Sequence, residues 1–179
     1  ATSFLGYGDG IEYKTINQSY FPHSLGSFYE AITQFCGFKP NYDEGKTMGL
    51  APLGKADTLY DEMSKLIKID QDGGINIDLS YFNYQYWDNQ RFSDKFVKTF
   101  GQPRTGDAFE QHHLDVAAAG QKVLEDRILE LCKVLHNKTN ADYIVISGGV
   151  ALNSVANGRI VRESPFKEAY IMPAAGDNG

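Results

Sequence analysis

Two glycines in the segment "YIVISGGVALNSVANG", residues 143 to 158, are the residues best placed for chemistry in this 179-residue chain. An apolar run ends at Gly148-Gly149 and a helical pattern follows, with Asn153 at its start. A strand–turn–helix of this kind gathers backbone N–H groups and the positive end of a helix at one point, which is the chemistry of anion binding. The same glycines would equally permit a tight packing turn that holds no ligand. The pattern is neither G-x-G-x-x-G nor G-x-x-x-x-G-K-[ST], so neither the Rossmann nor the P-loop mechanism is assigned.

A second glycine turn, "PAAGDNG" at residues 173 to 179, carries Asp177 after another strand pattern. An acid at the carboxyl end of such a strand can hold a metal ion, or can simply cap its own turn. Lys46 in "DEGKTMGL" is either a point charge for a phosphate or an ordinary solvated lysine. His112 and His113 are adjacent, cannot share one helical face, and are expected to be solvated structural residues rather than a metal pair. His23 is expected to cap or pack. Cys36 and Cys132, the only cysteines, fall in apolar helical stretches and are expected to be buried reduced thiols. No Ser/His/Asp or Cys/His spacing supports a nucleophile.

The elements that must position these residues follow from periodicity. "ATSFLGYGDGIEYKTIN" predicts two strands around Gly8-Asp9-Gly10. Leu25, Phe28, Ile32 and Phe35 recur at helical spacing after Pro22, and Gly37 suits a terminator. Residues 39–111 read as an α+β insertion lying against the core. Within it, "KPNYDEGKTMGLAPLG" reads as an ordered loop, "ADTLYDEMSKLIKI" as an amphipathic helix and "GGINIDL" as a strand. The aromatic segment "SYFNYQYWDNQRF" has no clean period; it reads as packing, with an acceptor-binding or dimer surface as the alternative. A long helix from about Leu114 to Asn137 has an apolar stripe through Val116, Ala119, Val123, Leu124, Ile128, Leu131 and Leu135. Strand, helix and strand then alternate, which predicts parallel pairing and an α/β fold.

This order fits an RNase H-like unit whose first strand lies upstream of Ala1. The core is expected in 1–38 and 112–179, with its first strand and last helix missing. A start without Met and an end at "GDNG" suggest a piece of a longer protein. The net charge of −6 disfavours a nucleic-acid partner. No run of about 18 apolar residues and no signal-peptide layout occur, so a cytosolic protein with no membrane partner is expected.

Four stretches taken together, "FPHSLGSFYEAITQFCGFKPNYDEGKTMGLAPLG", "DVAAAGQ", "ISGGVALNSVANGRI" and "YIMPAAGDNG", resemble the NodU-type O-carbamoyltransferase family in motif content and order. The resemblance covers residues 19 to 179. It implies half of an actin/sugar-kinase-type (ASKHA) domain, similar to the domain that transfers a threonylcarbamoyl group to tRNA. It implies ATP and carbamoyl adenylate as cofactors, with a divalent metal of the iron type. The implied partners are carbamoyl phosphate, ATP, a hydroxylated small-molecule acceptor and a YrdC-like domain in the parent chain, with a homodimer as a further option.

Carried over by residue, Gly148, Gly149 and Asn153 match the nucleotide-binding turn, with Asn153 near the adenosine. Glu30, four residues after Gly26, matches an acid placed against the ribose. Lys46 matches a motif position for phosphate contact, and Asp177 matches a metal ligand. The family's H-x-x-x-H metal pair does not occur in these residues. The chain is therefore expected to be one half-domain, inactive on its own. The rival readings are a tRNA threonylcarbamoyl-transfer relative and a non-catalytic nucleotide-binding or assembly module.

Overall fold

The computed structural model describes residues 1–87 and 89–176. Strand β1 (Ser3–Asp9) pairs antiparallel with β2 (Glu12–Ser19), Asp9 opposite Glu12. The reversal falls on Gly10-Ile11, slightly later than the sequence suggests, with Gly10 at φ +61°. Helix α1 (Leu25–Phe35) starts at Ser24, whose hydroxyl accepts from the Ser27 N–H at 3.2 Å. Its periodic residues Phe28, Ile32 and Phe35 are fully buried.

The next segment departs from expectation. "DEGKTMGL" is not a loop but helix α2 (Glu44–Leu50), continued by a 3₁₀ turn at Ala51–Leu53. Thr47 and Leu50, three apart, face the core, and the Thr47 hydroxyl donates to Thr33 Oγ1 at 3.0 Å. That burial outweighs the helix penalty of Gly45 and Gly49, about 1 kcal/mol each. At Gly54 a Cβ would sit 2.0 Å from the Leu114 carbonyl oxygen, so only glycine allows this close approach.

"ADTLYDEMSKLIKI" is likewise not one helix. A 3₁₀ turn at Ala56–Thr58 leads into α3 (Tyr60–Ser64), and then into strand β3 (Ile67–Ile69). This strand pairs antiparallel with β4 (Ile75–Ile77), the expected "GGINIDL" strand. The cause is local: β-branched Ile67 and Ile69 stand opposite Ile77 and Ile75, and Asp70 ties the turn by accepting from the Asp72 and Gly74 N–H groups.

Helix α4 (Asp94–Phe100) follows, and then the 29-residue α5 (Gln111–Thr139). Strand β5 (Tyr143–Ile146) leads through a 3₁₀ turn at Gly149–Leu152 to helix α6 (Ser154–Glu163). Strand β6 (Glu168–Ile171) lies parallel to β5, as the alternation predicts. The fold is mixed α/β. Its strands form three separate two-stranded sheets among the described residues rather than one continuous sheet.

Two cores hold these elements. The larger joins α1, α2 and α5 to Met63, Ile67, Phe82, Phe92, Phe96 and Phe100, so residues 39–111 share one interior with the helices on either side. Its rings meet edge to face or tilted, with Phe35 and Phe96 edge to face at a centroid distance of 5.3 Å and Phe96 and Phe100 tilted at 4.5 Å. Of the aromatic segment, Phe82, Tyr84 and Phe92 are buried, whereas Tyr86 and Trp87 are exposed. The smaller core comprises Leu129, Cys132, Ile144, Ile160 and Phe166.

Both cysteines are free and buried, as expected, and burial pushes the Cys36 thiol up to about 12 and the Cys132 thiol to about 11. No helix among the described residues is long and apolar enough to cross a membrane.

Candidate functional site

One large cleft lies between the β1 edge, the start of α1 and the β5 edge with the turn that follows it. Its volume is about 1240 Å³, and Gly148, Gly149, Asn153, Glu30 and Gly26 all line it. Four of the six sequence-predicted site residues are therefore brought to one cavity. Lys46 does not line it: it sits on α2, exposed, with its ammonium 2.9 Å from Asp43. Asp177 lies outside the described residues.

The turn after β5 is built for open space rather than tight packing. Gly148 adopts φ +99° and ψ 164°, a region essentially reserved for glycine. Its N–H donates to the Ala175 carbonyl at 2.8 Å, and its own carbonyl accepts from the Ala151 N–H at 2.9 Å. The free donors are instead the next two residues, since the Gly149 and Val150 N–H groups have no acceptor among the described residues. A Cβ on Gly149 would meet nothing within 4 Å, and its φ is not positive. Neither backbone conformation nor crowding by the described residues explains why Gly149 is glycine.

Asn153 serves the protein before any ligand. Its Oδ1 accepts the Ala156 N–H at 3.0 Å, which caps α6. Its amide also makes a reciprocal pair with Gln121 of α5, at 2.9 and 3.0 Å. Tyr29 of α1 donates its hydroxyl to the same Gln121 at 2.5 Å, and Gln121 donates onward to Glu125 at 2.7 Å. Arg159 of α6 closes the set, with Nη1 3.1 Å from Glu125 and 2.7 Å from Asp126 and Nη2 2.8 Å from Glu163.

Glu30 pairs with Arg91 at 3.1 Å. The Asn41 amide, oriented to satisfy both, donates to Glu30 at 2.8 Å and accepts from Arg91 at 3.0 Å. Burial raises the Glu30 carboxyl above its ordinary range, the Arg91 charge counters this, and Glu44 adds to it. The result is a half-buried acceptor on the cleft wall with its cation already in place.

His113 corrects the expectation of a solvated pair, because it is buried at 4 % exposure. Its Nδ1 accepts the Glu110 N–H at 3.0 Å, which puts the proton on Nε2, 3.2 Å from the Gln102 carbonyl. Burial first, and His112 second, lower its pKa, so it works as a neutral helix cap. His23 packs as expected, its Nδ1 accepting the Ile77 N–H at 3.0 Å. No group of three or more His, Cys, Asp or Glu side chains that could hold a metal is assembled among the described residues.

Sequence reasoning missed Tyr29, Asp115, Gln121 and Glu125. Asp115 accepts from the Lys55 N–H and from Gln111, both at 2.8 Å, and so fastens "MGLAPLG" to "DVAAAGQ". A usable signal was present: four polar residues, His113, Asp115, Gln121 and Glu125, interrupt the buried face of an otherwise apolar helix, and buried polar groups require partners.

Fold and cleft together define an α/β domain with a glycine turn at the carboxyl end of a parallel strand pair, facing a large open groove. The chain belongs to the carbamoyltransferase family: the model of the carbamoyltransferase N-terminus matches residues 2–179. It is 39 % identical, over 100 % of its length, to the uncharacterized protein sll1178 of Synechocystis sp.. It is 35 % identical, over 87 % of its length, to the uncharacterized protein MJ1058 of Methanocaldococcus jannaschii. It is 28 % identical, over 100 % of its length, to the nodulation protein NolNO of Sinorhizobium fredii. The chain spans 29 %, 24 % and 25 % of these relatives' own lengths.

Proposed function

We propose that these residues are one wall of the transfer site of an O-carbamoyltransferase, and that the cleft beside Gly149 receives the adenylate portion of its donor. In this reading the larger protein makes carbamoyl adenylate from ATP and carbamoyl phosphate on a YrdC-like domain. An acceptor hydroxyl then attacks the carbamoyl carbon, the bond from that carbon to the adenylate phosphate oxygen breaks, and AMP leaves. The Gly149 and Val150 N–H groups hold a phosphate oxygen by backbone donation, which needs no side-chain charge. Glu30, fixed by Arg91 and Asn41, offers a carboxylate to a ribose hydroxyl.

Gly149 is the observation that carries this reading: it needs to be glycine for no reason internal to the described residues, yet it borders the main cleft beside an unpaired donor. A backbone that a ligand approaches closely supplies the missing reason. The described residues do not by themselves form a metal site, and Asp177 would have to share any metal with ligands beyond them.

The open sheet edges support the half-domain part of the reading. The free edges of β1 and β5 line the same cleft, above an apolar floor of Leu124, Ile128, Leu131 and Leu135 from α5. An extended segment lying between those two edges would join the two sheets as an RNase H-like, ASKHA-type fold requires, and would leave the Gly149 end of the cleft to the adenylate. On this reading the 179 residues alone do not catalyse transfer.

The test is ATP titration of the full-length protein and its Gly149→Ala variant. At least tenfold weaker binding with an unshifted melting temperature is expected. Equal affinity of the two proteins would remove the turn from the site.

A further inference from the structure

We infer that Gln121 is the positioning residue of the Gly148–Asn153 turn, holding it at a fixed height and angle against α1 and α5. This deepens the reading of the turn as a nucleotide wall and rests on it for its functional consequence. Gln121 is 4 % exposed and uses its amide completely. Oε1 accepts from Tyr29 and Asn153, and Nε2 donates to Asn153 and Glu125. That is the full hydrogen-bonding capacity of a glutamine amide.

The network has only one sense. The Ala156 N–H can only donate, so it fixes Asn153 with Oδ1 toward α6. The Glu125 carboxyl, paired with Arg159 through Oε2, accepts through Oε1 and so fixes Gln121 with Nε2 toward itself. The two amides then mate in one orientation, and Tyr29 completes the remaining lone pair. A buried polar set satisfied at every atom selects a single arrangement, because any rotated amide would face donor to donor or acceptor to acceptor. Asn153 is the residue at which the 3₁₀ turn ends and α6 begins, so the orientation of Gln121 becomes the orientation of the Gly149 and Val150 donors.

The experiment uses the full-length protein, with ATP titrated calorimetrically and amide exchange followed over residues 147–156. Gln121→Met keeps the volume and removes the network. It is expected to speed exchange in that window while α1 and β3–β4 exchange as before, and to weaken ATP binding at least tenfold. Combining it with Asn153→Ala should lose no more than about twofold beyond either change alone, since both act through one amide pair. Unchanged exchange over 147–156, or faster exchange with unchanged ATP affinity, overturns the inference. If the unsubstituted protein binds no ATP, the nucleotide reading fails and exchange alone decides the positioning role. Should Gln121→Met lose protection everywhere, Tyr29→Phe removes a single bond. Faster exchange confined to the same window then supports the role, and uniform or absent change overturns it.

Discussion

The part of the molecule around α1, α4 and the β3–β4 hairpin and the part around β5, α6 and β6 share the long helix α5, yet they are finished to different degrees. In the first, Phe28, Ile32, Phe35, Met63 and Phe96 are completely buried and interlock through aromatic edges. In the second, the core is a small cluster, and the outward residues Tyr143, Val145 and Tyr170 are 66 %, 70 % and 56 % exposed. Parallel strands are ordinarily covered on both faces, whereas among the described residues this pair is covered on one. The comparison separates labour: apolar packing supplies a rigid platform in one part, while the other keeps open edges, free donors and a polar network at the cleft. Sites are commonly placed at the less stable end of such a gradient, on a scaffold that does not move.

Four substitutions would break or sharpen that contrast, each read as the local opening free energy from native-state amide exchange in the full-length protein. The largest effect is expected for Phe96→Ala, about 3–5 kcal/mol, because it opens a cavity among four neighbouring rings that cannot collapse fully. A loss below about 1 kcal/mol would show that the aromatic core is less rigid than its packing indicates. Arg159→Ala should cost about 2–3 kcal/mol, less than the full price of a broken buried pair because the guanidinium is partly solvated. That loss should fall on α6 and spare α4, since it leaves the Glu125 carboxylate buried without its cation. Loss spread equally over both parts would dissolve the distinction between them. The smallest effect belongs to the turn: Gly148→Ala should cost about 1–2 kcal/mol at its positive φ. Gly149→Ala, with open space around it, should stay within about 0.5 kcal/mol. Equal costs would mean that Gly149 also has a structural reason to be glycine.

Legibility followed the length and regularity of the elements and not that division. The stripe of α5, the spacing of Phe28, Ile32 and Phe35, and the alternation ending in parallel β5 and β6 could all be read from periodicity, because long regular elements repeat one signal many times. Helix α2 and strand β3 were not legible. Gly45 and Gly49 argue locally against a helix, and "SKLIKI" argues for one; burial of Thr47 and Leu50, and pairing of Ile67 with Ile77, overruled both. At the cleft, the sequence pointed to Gly148, but only the backbone shows that its N–H is occupied and that the available donors are one and two residues further on.

Residue types and their spacing, then, determined the helices with a clear face, the parallel pair and the strand–turn–helix that marks the cleft. Tertiary structure alone decided that Asn153 faces Gln121 and that Asp115 fastens one motif to another. Periodicity is a property of neighbours along the chain. The partner of a buried polar atom is set by whichever distant segment brings a complementary donor or acceptor to it, and that is fixed only when the chain is packed.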